Sequence, residues 1–579
     1  MVDGIQLHYV AAMRRLAALI PLSIAVLFLA CASPPAPPPL PPPAAATSAS
    51  PPAAPPVVVS VLATSDLHGY IERAVVFGGF VDNLRDARKR DGGVVLIDAG
   101  DMFQGTLAVN ETEGASVIRA YNALGYNAAA IGNHEFDYGP VGPPAIPKSP
   151  SDDPRGALLA AAKLARFPLL ASNILSKDTS KPVQWPGVLP STLVEVAGVE
   201  VGVIGVTTNE TFETTIAGNV SDLRIGPLAE TINQQAHRLR DQGAKVVVVA
   251  AHAGGECSQF DAPDDVSSCK PSELFDVARS IEPGLVDVII GAHTHQAIAH
   301  RVNGIAIIQS YAYGSAFGRV DLSVDPTSGK VTVLRIHPPH SVCQEKDKKS
   351  ATCTPGDYEG VPVKPSAVVQ TAVADDIASA SSKREQPLGV TLAAALSNGG
   401  GPSSPLGDRL TAWMLEVRPD AQVALMNAGG IRTALPAGPL KYGSFFEMFP
   451  FDNRFASTKV KVSALRKFIR THLEKGSSFS VAGVQVLATC KKNELHVDLR
   501  HKGRLLRDDQ DIAVLMSDYM AMTSRVAEAG MPKDGFTFEA DPAIREALVD
   551  HLRKKGGTVP ATFASPISIP GGWPIACPK

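Results

Sequence analysis

The 579-residue sequence has little net charge and few charged residues. Lys and Arg number 54, Asp and Glu number 57, and charged residues make up 19% of the chain. Proteins that bind nucleic-acid polymers need a basic excess to neutralise phosphates, and this composition has none. We therefore expect no nucleic-acid polymer among its partners. Apolar residues account for 45%, which excludes disorder throughout and, at this length, predicts two or more domains.

Cysteine is also scarce, and none of the seven cysteines has the spacing of a zinc knuckle. Six of them form candidate pairs, namely Cys257 with Cys269, Cys343 with Cys353, and Cys490 with Cys577. Two close pairs and one distant pair suit disulfides in an oxidising compartment, although the connectivity stays open. Buried reduced thiols are the alternative.

The N-terminal apolar run is too short for a comfortable membrane span. Leu16–Ala30 follows two arginines, whereas a spanning helix needs about 20 apolar residues. The pattern predicts an export signal over residues 1–30. Phe28–Cys31 resembles the lipobox of bacterial lipoproteins, which predicts lipidation of Cys31 and a periplasmic or cell-surface lipoprotein. A plain secretory signal or an N-terminal membrane anchor is the alternative.

A proline-rich segment follows the predicted signal. Residues 31–56 contain 12 of the 47 prolines and cannot bury much apolar surface. We expect an extended, polyproline-like linker that holds the folded part away from a membrane.

From residue 57 onward, short β-branched runs alternate with helical stretches, as in an α/β domain. The clearest predicted strands are Val57–Ala63, Gly93–Ala99, Ala128–Ile131, Val201–Val206, Lys245–Ala251 and Val286–Gly291. Helical periodicity covers Phe77–Lys89, Ser116–Leu124, Gly156–Phe167 and Leu228–Gln242. A closing antiparallel set is predicted at Val302–Gln309, Gly318–Val324 and Lys330–Ile336. A connector and a helix at Pro365–Lys383 then lead to strands at Leu388–Leu392, Val423–Asn427 and Asp511–Met516.

Polar side chains follow five of the predicted strands, where open α/β sheets place their sites. They are Asp66 and His68, then Asp101, then Asn133, His134 and Asp137, then His252, and finally His293 and His295. In extended chain, a D-x-H pair would place both side chains on one face. Each motif alone is more often a loop-capping or core residue, but five in order predict a dinuclear metal site, because one ion needs fewer ligands. Paired ions about 3.5–4 Å apart hold a bridging hydroxide and clamp a phosphoryl group.

These motifs, with Asn427-Ala428-Gly429-Gly430-Ile431-Arg432, resemble the bacterial two-domain 5′-nucleotidase family of calcineurin-like metallophosphoesterases, of the UDP-sugar hydrolase/5′-nucleotidase type. The resemblance implies a four-layer α/β/β/α domain over residues 57–340, a connector and interdomain helix over 341–386, and an α/β substrate-binding domain over 387–579. It implies two divalent ions, with Zn, Mn, Co, Fe and Mg not distinguished. One ion is held by Asp66, His68 and His295, the other by Asn133, His252 and His293, with Asp101 bridging. His134, oriented by Asp137, would stabilise the phosphoryl group and protonate the leaving oxygen.

The second domain would supply the substrate pocket. The resemblance implies that Asn427, Gly430 and Arg432 contact the substrate and that Phe451 forms one wall of an aromatic base clamp. Phe536, in a weakened version of the family's G-G-D-G-[FY] segment, is the candidate second wall. The family's arginine ahead of this domain's first helix is missing from residues 399–408. Both departures concern specificity and leave the metal set intact.

The sequence therefore predicts an exported hydrolase of phosphate esters, acting on nucleoside 5′-monophosphates or related nucleotides. Hydrolysis of UDP-sugars, cyclic nucleotides or sulfur esters is the alternative within the family. A surface binding protein with structural metals is the alternative outside it. Oligomeric state stays open.

Overall fold

A computed structural model describes residues 55–142, 145–344, 353–531, 533–539, 542–560, 564–575 and 577. The predicted signal, Cys31 and nearly all of the proline-rich linker lie outside these residues. Among the described helices, none combines the length and apolar character that a membrane crossing requires.

The first part of the described chain alternates strands and helices as the sequence predicts. Its strands are β1 (Val57–Thr64), β2 (Gly92–Asp98), β3 (Ala128–Ala130), β4 (Leu169–Leu170), β5 (Ile174–Ser176), β6 (Val188–Leu189), β7 (Ser191–Val196), β8 (Val199–Thr207), β9 (Leu223–Ile225), β10 (Val246–His252), β11 (Val288–Ile290), β12 (Ala297–Val302), β13 (Ile305–Ser310), β14 (Ala316–Val324) and β15 (Val331–Ser341). Its helices are α1 (Ile71–Arg88), α2 (Leu107–Asn110), α3 (Ala115–Leu124), α4 (Gly156–Leu164), α5 (Leu228–Asp241) and α6 (Glu273–Ser280).

Two sheets pack face to face in this part. One has the strand order β15-β14-β1-β2-β3-β4-β6, the other β12-β13-β11-β10-β8-β7. Because successive side chains point to opposite faces of a strand, Val61 of β1 packs against the second sheet while Leu62 packs against helices. Helices α1 and α3 cover the first sheet, and α5 and α6 cover the second. The α/β/β/α layer order is therefore confirmed.

The predicted antiparallel set differs from the structure. The stretch predicted as one strand at Val302–Gln309 spans a hairpin of β12 and β13, because Asn303 and Gly304 turn the chain with φ of 53° and 78°. Asn-Gly is the dipeptide that two-residue hairpin turns favour. These strands lie in the second sheet, whereas β14 pairs with β1 and β15 pairs with β14 in the first.

The rest of the described chain begins with a small hairpin and a long helix. Its strands are β16 (Asp357–Tyr358), β17 (Val361–Pro362), β18 (Pro387–Leu392), β19 (Val423–Asn427), β20 (Gly438–Lys441), β21 (Phe455–Lys461), β22 (Phe479–Ala482), β23 (Gln485–Lys491), β24 (Glu494–His501), β25 (Arg504–Leu505), β26 (Asp511–Ser517), β27 (Thr537–Phe538), β28 (Gly557–Val559) and β29 (Ile567–Ser568). Its helices are α7 (Ala367–Arg384), α8 (Pro405–Val417), α9 (Tyr442–Met448), α10 (Val462–Glu474), α11 (Asp518–Ala521), α12 (Ser524–Glu528) and α13 (Ile544–Lys555).

A mixed sheet of order β22-β19-β26-β21-β27 forms the centre of this second domain. Helices α8 and α13 pack on one face and α10 on the other. Helix α8 begins after Ser404, whose Oγ accepts the Gly407 N–H at 3.0 Å, and Pro405 occupies its first turn. The α/β class expected for this domain is confirmed.

All three candidate cysteine pairs are disulfides in the structure. Cys257 bonds Cys269, Cys343 bonds Cys353, and Cys490 bonds Cys577. The bond between Cys490 and Cys577 ties the C-terminal end of the described chain to β23.

Candidate active site

The predicted site residues of the first domain converge at one edge of its two sheets. Asp66 and His68 follow β1, Asp101 follows β2, and Asn133 and His134 follow β3. His252 ends β10, and His293 and His295 follow β11. The carboxyl ends of parallel strands thus bring residues from distant parts of the sequence into contact.

These side chains form two donor groups. Asp66, His68 and His295 offer three ligand atoms within 4.8 Å of one another, and so do Asp101, His252 and His293. Asn133 adjoins the second group, with its Oδ1 3.0 Å from His252 Nε2 and 3.1 Å from His293 Nδ1.

Asp101 lies between the two groups. Its Oδ2 is 3.3 Å from His252 Nε2 and 4.0 Å from His68 Nε2. Within the first group, His68 Nε2 and His295 Nε2 are 2.9 Å apart. The carboxylate of Asp101 is therefore in position to be shared.

The backbone at these residues departs from the extended geometry expected of D-x-H and H-x-H pairs. Asp66, His68 and Asp101 have φ of 50°, 47° and 56°, and His293 and His295 have φ of 73° and 56°. Left-handed conformations are costly for residues with a Cβ and cluster at functional sites. The expectation that strand alternation aligns each pair was wrong, because the strands end before these residues and tight turns aim their side chains.

The site is crowded enough to require a glycine. A Cβ on Gly132 would lie 2.3 Å from Asp101 Oδ1, so any larger residue would displace that carboxylate. The same Asp101 Oδ1 accepts the His134 N–H at 2.9 Å.

The buried charges at this edge favour cations. Asp66 is fully buried, and its Oδ2 has no hydrogen-bond partner among the described residues. Burial raises the pKa of Asp66 to about 7. Burial and then the nearby Arg432 lower the pKa of His295 to about 3, which keeps that imidazole neutral, as metal ligation requires. Carboxylate, imidazole and amide oxygen donors with an orphaned carboxylate oxygen fit divalent metal ions.

His134 forms a buried pair with Asp137. His134 Nδ1 is 2.6 Å from Asp137 Oδ2, and Thr215 Oγ1 donates to Asp137 Oδ1 at 2.8 Å. Although burial opposes it, the carboxylates of Asp137 and Asp101 raise the pKa of His134 above its usual value. The carboxylate pairing favours the protonated imidazole, whose Nε2 is left to present the proton.

Glu135, which the sequence reasoning did not single out, joins two ligand-bearing loops. Its carboxylate accepts N–H bonds from Asp101, Met102 and Phe103 on one loop and from Gly132 on the other, at 2.7–3.2 Å. A buried carboxylate that accepts four backbone bonds fixes the separation of the loops. The signal for it was present, since Glu135 directly follows Asn133 and His134.

A cavity of about 270 Å³ adjoins the donor groups and is lined by both domains. Asn427, Gly430, Arg432 and Phe451 line it together with His134, so the structure brings these predicted substrate residues to the metal edge. Arg432 Nη2 is 3.3 Å from His68 Nε2, and its guanidinium carbon is 5.7 Å from the centre of the Phe451 ring. The Phe451 ring lies 5.8 Å from that of His134.

Phe536 does not reach this cavity. It is 8% exposed and packs in the apolar core around α10 and β26, because the segment that carries it leads into β27, the edge strand of the central sheet beside β21. Tyr519 at the start of α11 lines the cavity instead, and its Oη donates to the Glu213 carbonyl at 2.9 Å. Tyr519 follows the predicted strand Asp511–Met516 by three residues, which is a position where the strand-end argument could have found it.

Comparison with known proteins assigns the two domains. The family model of calcineurin-like phosphoesterases matches residues 59–297, and that of the 5′-nucleotidase C-terminal domain matches residues 368–528. The two matches follow the order of the two folded parts.

Relatives with this pair of domains are distant in sequence. Endonuclease YhcR of Bacillus subtilis is 26% identical over 542 residues, which are 88% of this chain and 41% of YhcR. Protein UshA of Yersinia enterocolitica is 24% identical over 475 residues, 75% of this chain and 80% of UshA. The chain thus spans about two fifths of YhcR. A 5′-nucleotidase precursor from Thermus thermophilus shares the fold, at 20% identity and a TM-score of 0.68, with 88% of this chain and 99% of that chain covered.

Proposed function

This chain belongs to the 5′-nucleotidase family of two-domain calcineurin-like phosphoesterases, and we propose that it hydrolyses nucleoside 5′-monophosphates or related nucleotides at a dinuclear metal site. The observation that carries the proposal is Asp101, whose carboxylate lies between two donor groups at the wall of a cavity that also holds Arg432. Two adjacent cation sites and a guanidinium are what a phosphate ester requires for binding and charge neutralisation.

Each donor group has a role in this proposal. Asp66, His68 and His295 hold one divalent ion, and Asn133, His252 and His293 hold the other, with Asp101 shared. When bound, two such ions polarise the phosphoryl group and supply a water-derived nucleophile at neutral pH. His252 Nδ1 faces the Ala99 carbonyl at 3.0 Å, so its Nε2 is directed towards Asn133 and Asp101.

His134 acts on the ester itself. Asp137 accepts from Nδ1 and keeps the imidazole oriented, which leaves Nε2 to hold a proton towards the cavity. That proton stabilises the developing charge and passes to the leaving oxygen.

The second domain selects the leaving group. Arg432 pairs with phosphate oxygens, and the aromatic rings of Phe451 and Tyr519, which line the same cavity, bind a nucleobase by stacking. The match of residues 368–528 to the model of the 5′-nucleotidase C-terminal domain supports a nucleotide as the substrate class.

We place the enzyme outside the cytoplasm, held to a membrane by a lipid on Cys31. The three disulfides support an oxidising compartment. The partners in this proposal are a small nucleotide and the membrane, without a nucleic-acid polymer.

The scarcity of basic residues in the cavity bears on a second class of substrate. Among the described residues that line the cavity, Arg432 is the sole Lys or Arg, in agreement with the arginine missing from residues 399–408. The missing arginine keeps UDP-sugars, cyclic nucleotides and sulfur esters open as alternative substrates.

The test is hydrolysis by the purified protein with added Mn²⁺, Zn²⁺, Co²⁺ or Mg²⁺, measured as phosphate release from 5′-AMP, as p-nitrophenol release from the bis-p-nitrophenyl ester, and by chromatography of the products from the other two substrates. The substrates are 5′-AMP, 2′,3′-cyclic AMP, UDP-glucose and bis-p-nitrophenyl phosphate, with His134→Ala and Asp101→Asn as inactive controls. Metal-dependent release from 5′-AMP that both substitutions abolish is the expected result. Turnover of the diesters alone would show that the substrates are phosphodiesters rather than monophosphates. No turnover with metal bound would overturn the hydrolase proposal.

A further inference from the structure

One carbonyl of the second domain accepts two amide side chains of the first. Gln104 Nε2 and Asn110 Nδ2 each donate to the Pro450 carbonyl at 3.0 Å. Gln104 is 3% exposed, so this contact is shielded from water. The other polar links that involve α7 are ion pairs. Lys383 with Glu111 is exposed and contributes little, whereas Arg119 holds Asp376 through two bonds at 3.0 and 2.6 Å.

The orientation of the Asn110 amide is fixed by its other bonds. Asn110 Oδ1 accepts the Gly105 N–H at 3.0 Å and the Tyr138 hydroxyl at 3.2 Å, which turns its NH₂ group towards Pro450. Tyr138 Oη in turn accepts the backbone N–H of Gln104 at 2.8 Å. The first domain thus holds the Asn110 amide and the Gln104 backbone through its own bonds, and the Gln104 side-chain amide bonds to Pro450.

Gln104 also contacts the metal edge through its backbone. Its carbonyl oxygen lies 3.0 Å from His68 Nδ1, and its φ is 61°. Gln104 has a left-handed backbone and is bonded through its N–H, its carbonyl and its side chain. None of these three contacts can shift without moving the other two. The Gln104 side chain that donates to Pro450 and the Gln104 carbonyl that faces His68 therefore belong to one rigid unit.

The Pro450 carbonyl, which accepts both amides, lies next to the proposed substrate-binding residues. Phe451 follows Pro450 directly, and the Arg432 N–H donates to the Met448 carbonyl at 2.9 Å in the same loop. The position of Pro450 therefore sets where Phe451 and Arg432 lie relative to His134 and His68.

We propose that Gln104 and Asn110 form an amide latch, a pair of positioning residues that seats the Pro450–Phe451 loop on the metal edge so that the nucleotide meets both domains at once. The latch rests on the proposed function for its effect on catalysis, but its effect on domain contact is independent of any substrate. It touches neither the phosphoryl group nor the ions. It acts through Phe451 and Arg432.

Two variants remove the donors while keeping shape. Gln104→Met loses the side-chain N–H but keeps the backbone carbonyl that faces His68. Asn110→Asp keeps the oxygen that accepts from Gly105 and places a second oxygen opposite the Pro450 carbonyl. The matched control is Asn122→Asp, since Asn122 Nδ2 donates to the Leu164 carbonyl at 3.0 Å within the first domain.

Hydrogen–deuterium exchange on the full chain measures domain contact without substrate. We expect faster exchange in segments 104–112 and 449–455 in both latch variants, and unchanged exchange there in Asn122→Asp. Unchanged exchange in both segments of both variants would overturn the latch, whether or not the protein hydrolyses nucleotides.

Kinetics and metal binding then separate positioning from chemistry. For 5′-AMP we expect KM to rise roughly three- to tenfold in each variant, the effect of one lost hydrogen bond. For p-nitrophenyl phosphate, which has no nucleobase to contact Phe451 but still contacts Arg432, KM should rise less than it does for 5′-AMP. Mn²⁺ affinity measured by calorimetry without nucleotide should match that of the wild type. A fall in Mn²⁺ affinity, or an equal loss on both substrates, would show a general defect of the site and contradict the latch.

Discussion

His134 Nδ1 lies 2.6 Å from Asp137 Oδ2, and Asp137 Oδ1 accepts a bond from Thr215 at 2.8 Å. The carboxylate is therefore held from its far side while it faces the imidazole, and both residues are buried. Such a pair fixes the ring orientation and favours the protonated imidazole. This relationship makes the role of Asp137 separable from that of the metal ligands.

Asp137→Asn should lower kcat by about ten- to a hundredfold, the usual cost of losing a partner that orients an active group. His134→Ala should cost more, roughly 10²- to 10⁴-fold. Asp137 raises the pKa of His134, so removing its charge lets the proton leave at lower pH. Since the protonated form is the active one, the basic limb of the kcat profile should move to lower pH. The check is kcat from about pH 5 to about pH 9, and an unmoved basic limb would contradict the proposed proton donor.

Asp101→Asn tests the shared carboxylate. His252 and His134 hold the pKa of Asp101 well below its usual range despite its burial, so the residue is charged and available to cations. An amide offers one neutral oxygen in its place. We expect bound metal per dialysed chain to fall from two ions to one or none by elemental analysis, and the rise in Tm on adding Mn²⁺ to shrink accordingly. Asn122→Asp serves as the comparison, and two retained ions of unchanged affinity would contradict the sharing.

The apolar runs predicted the α/β class of the first domain, whereas the order of its layers came from the family resemblance. Buried parallel strands such as β1 and β10 are continuous apolar runs, and their periodicity survives without any knowledge of tertiary contacts. The site residues were found for the same reason, because each follows such a run. The left-handed backbone conformation of Asp66 and His293 could not be predicted from the sequence, since such turns depend on the surrounding packing rather than on residue type.

The second domain was harder to predict. Its sheet is mixed and several strands, such as β23 and β24, are half exposed, so their patterns are weaker. Phe536 belongs to a degenerate motif and lies in the core, whereas Tyr519 follows a predicted strand but belongs to no motif, and the cavity between the two domains identifies it. Contacts between domains, such as Gln104 with Pro450, leave no periodic signal in the sequence at all.

Substitution of the cavity aromatics distinguishes Tyr519 from Phe536. Stacking of a base on an aromatic side chain contributes roughly 1–3 kcal/mol, so Phe451→Ala and Tyr519→Ala should each lower kcat/KM for 5′-AMP about fivefold or more. Phe536→Leu should leave that ratio unchanged and instead cost up to about 1.5 kcal/mol of unfolding free energy, as conservative core replacements do. Steady-state kinetics and urea denaturation measure the two effects. A raised KM for 5′-AMP in Phe536→Leu, without such a change in the other two variants, would show that Phe536 contacts the substrate.

Asp408 in the first turn of α8 gives a pH-dependent prediction for stability. Burial raises the pKa of Asp408 to about 6, and Ser403 Oγ donates to its carboxylate at 2.8 Å. The folded state thus binds a proton that the unfolded state has lost, so this residue makes unfolding easier as the pH rises from the unfolded pKa near 3.8 to the folded pKa. Asp408→Asn has no such proton, and its stability should vary less over that window. The measurement is the urea midpoint of both proteins at pH values below, within and above the window. Parallel curves would show that Asp408 titrates alike in the folded and unfolded chain.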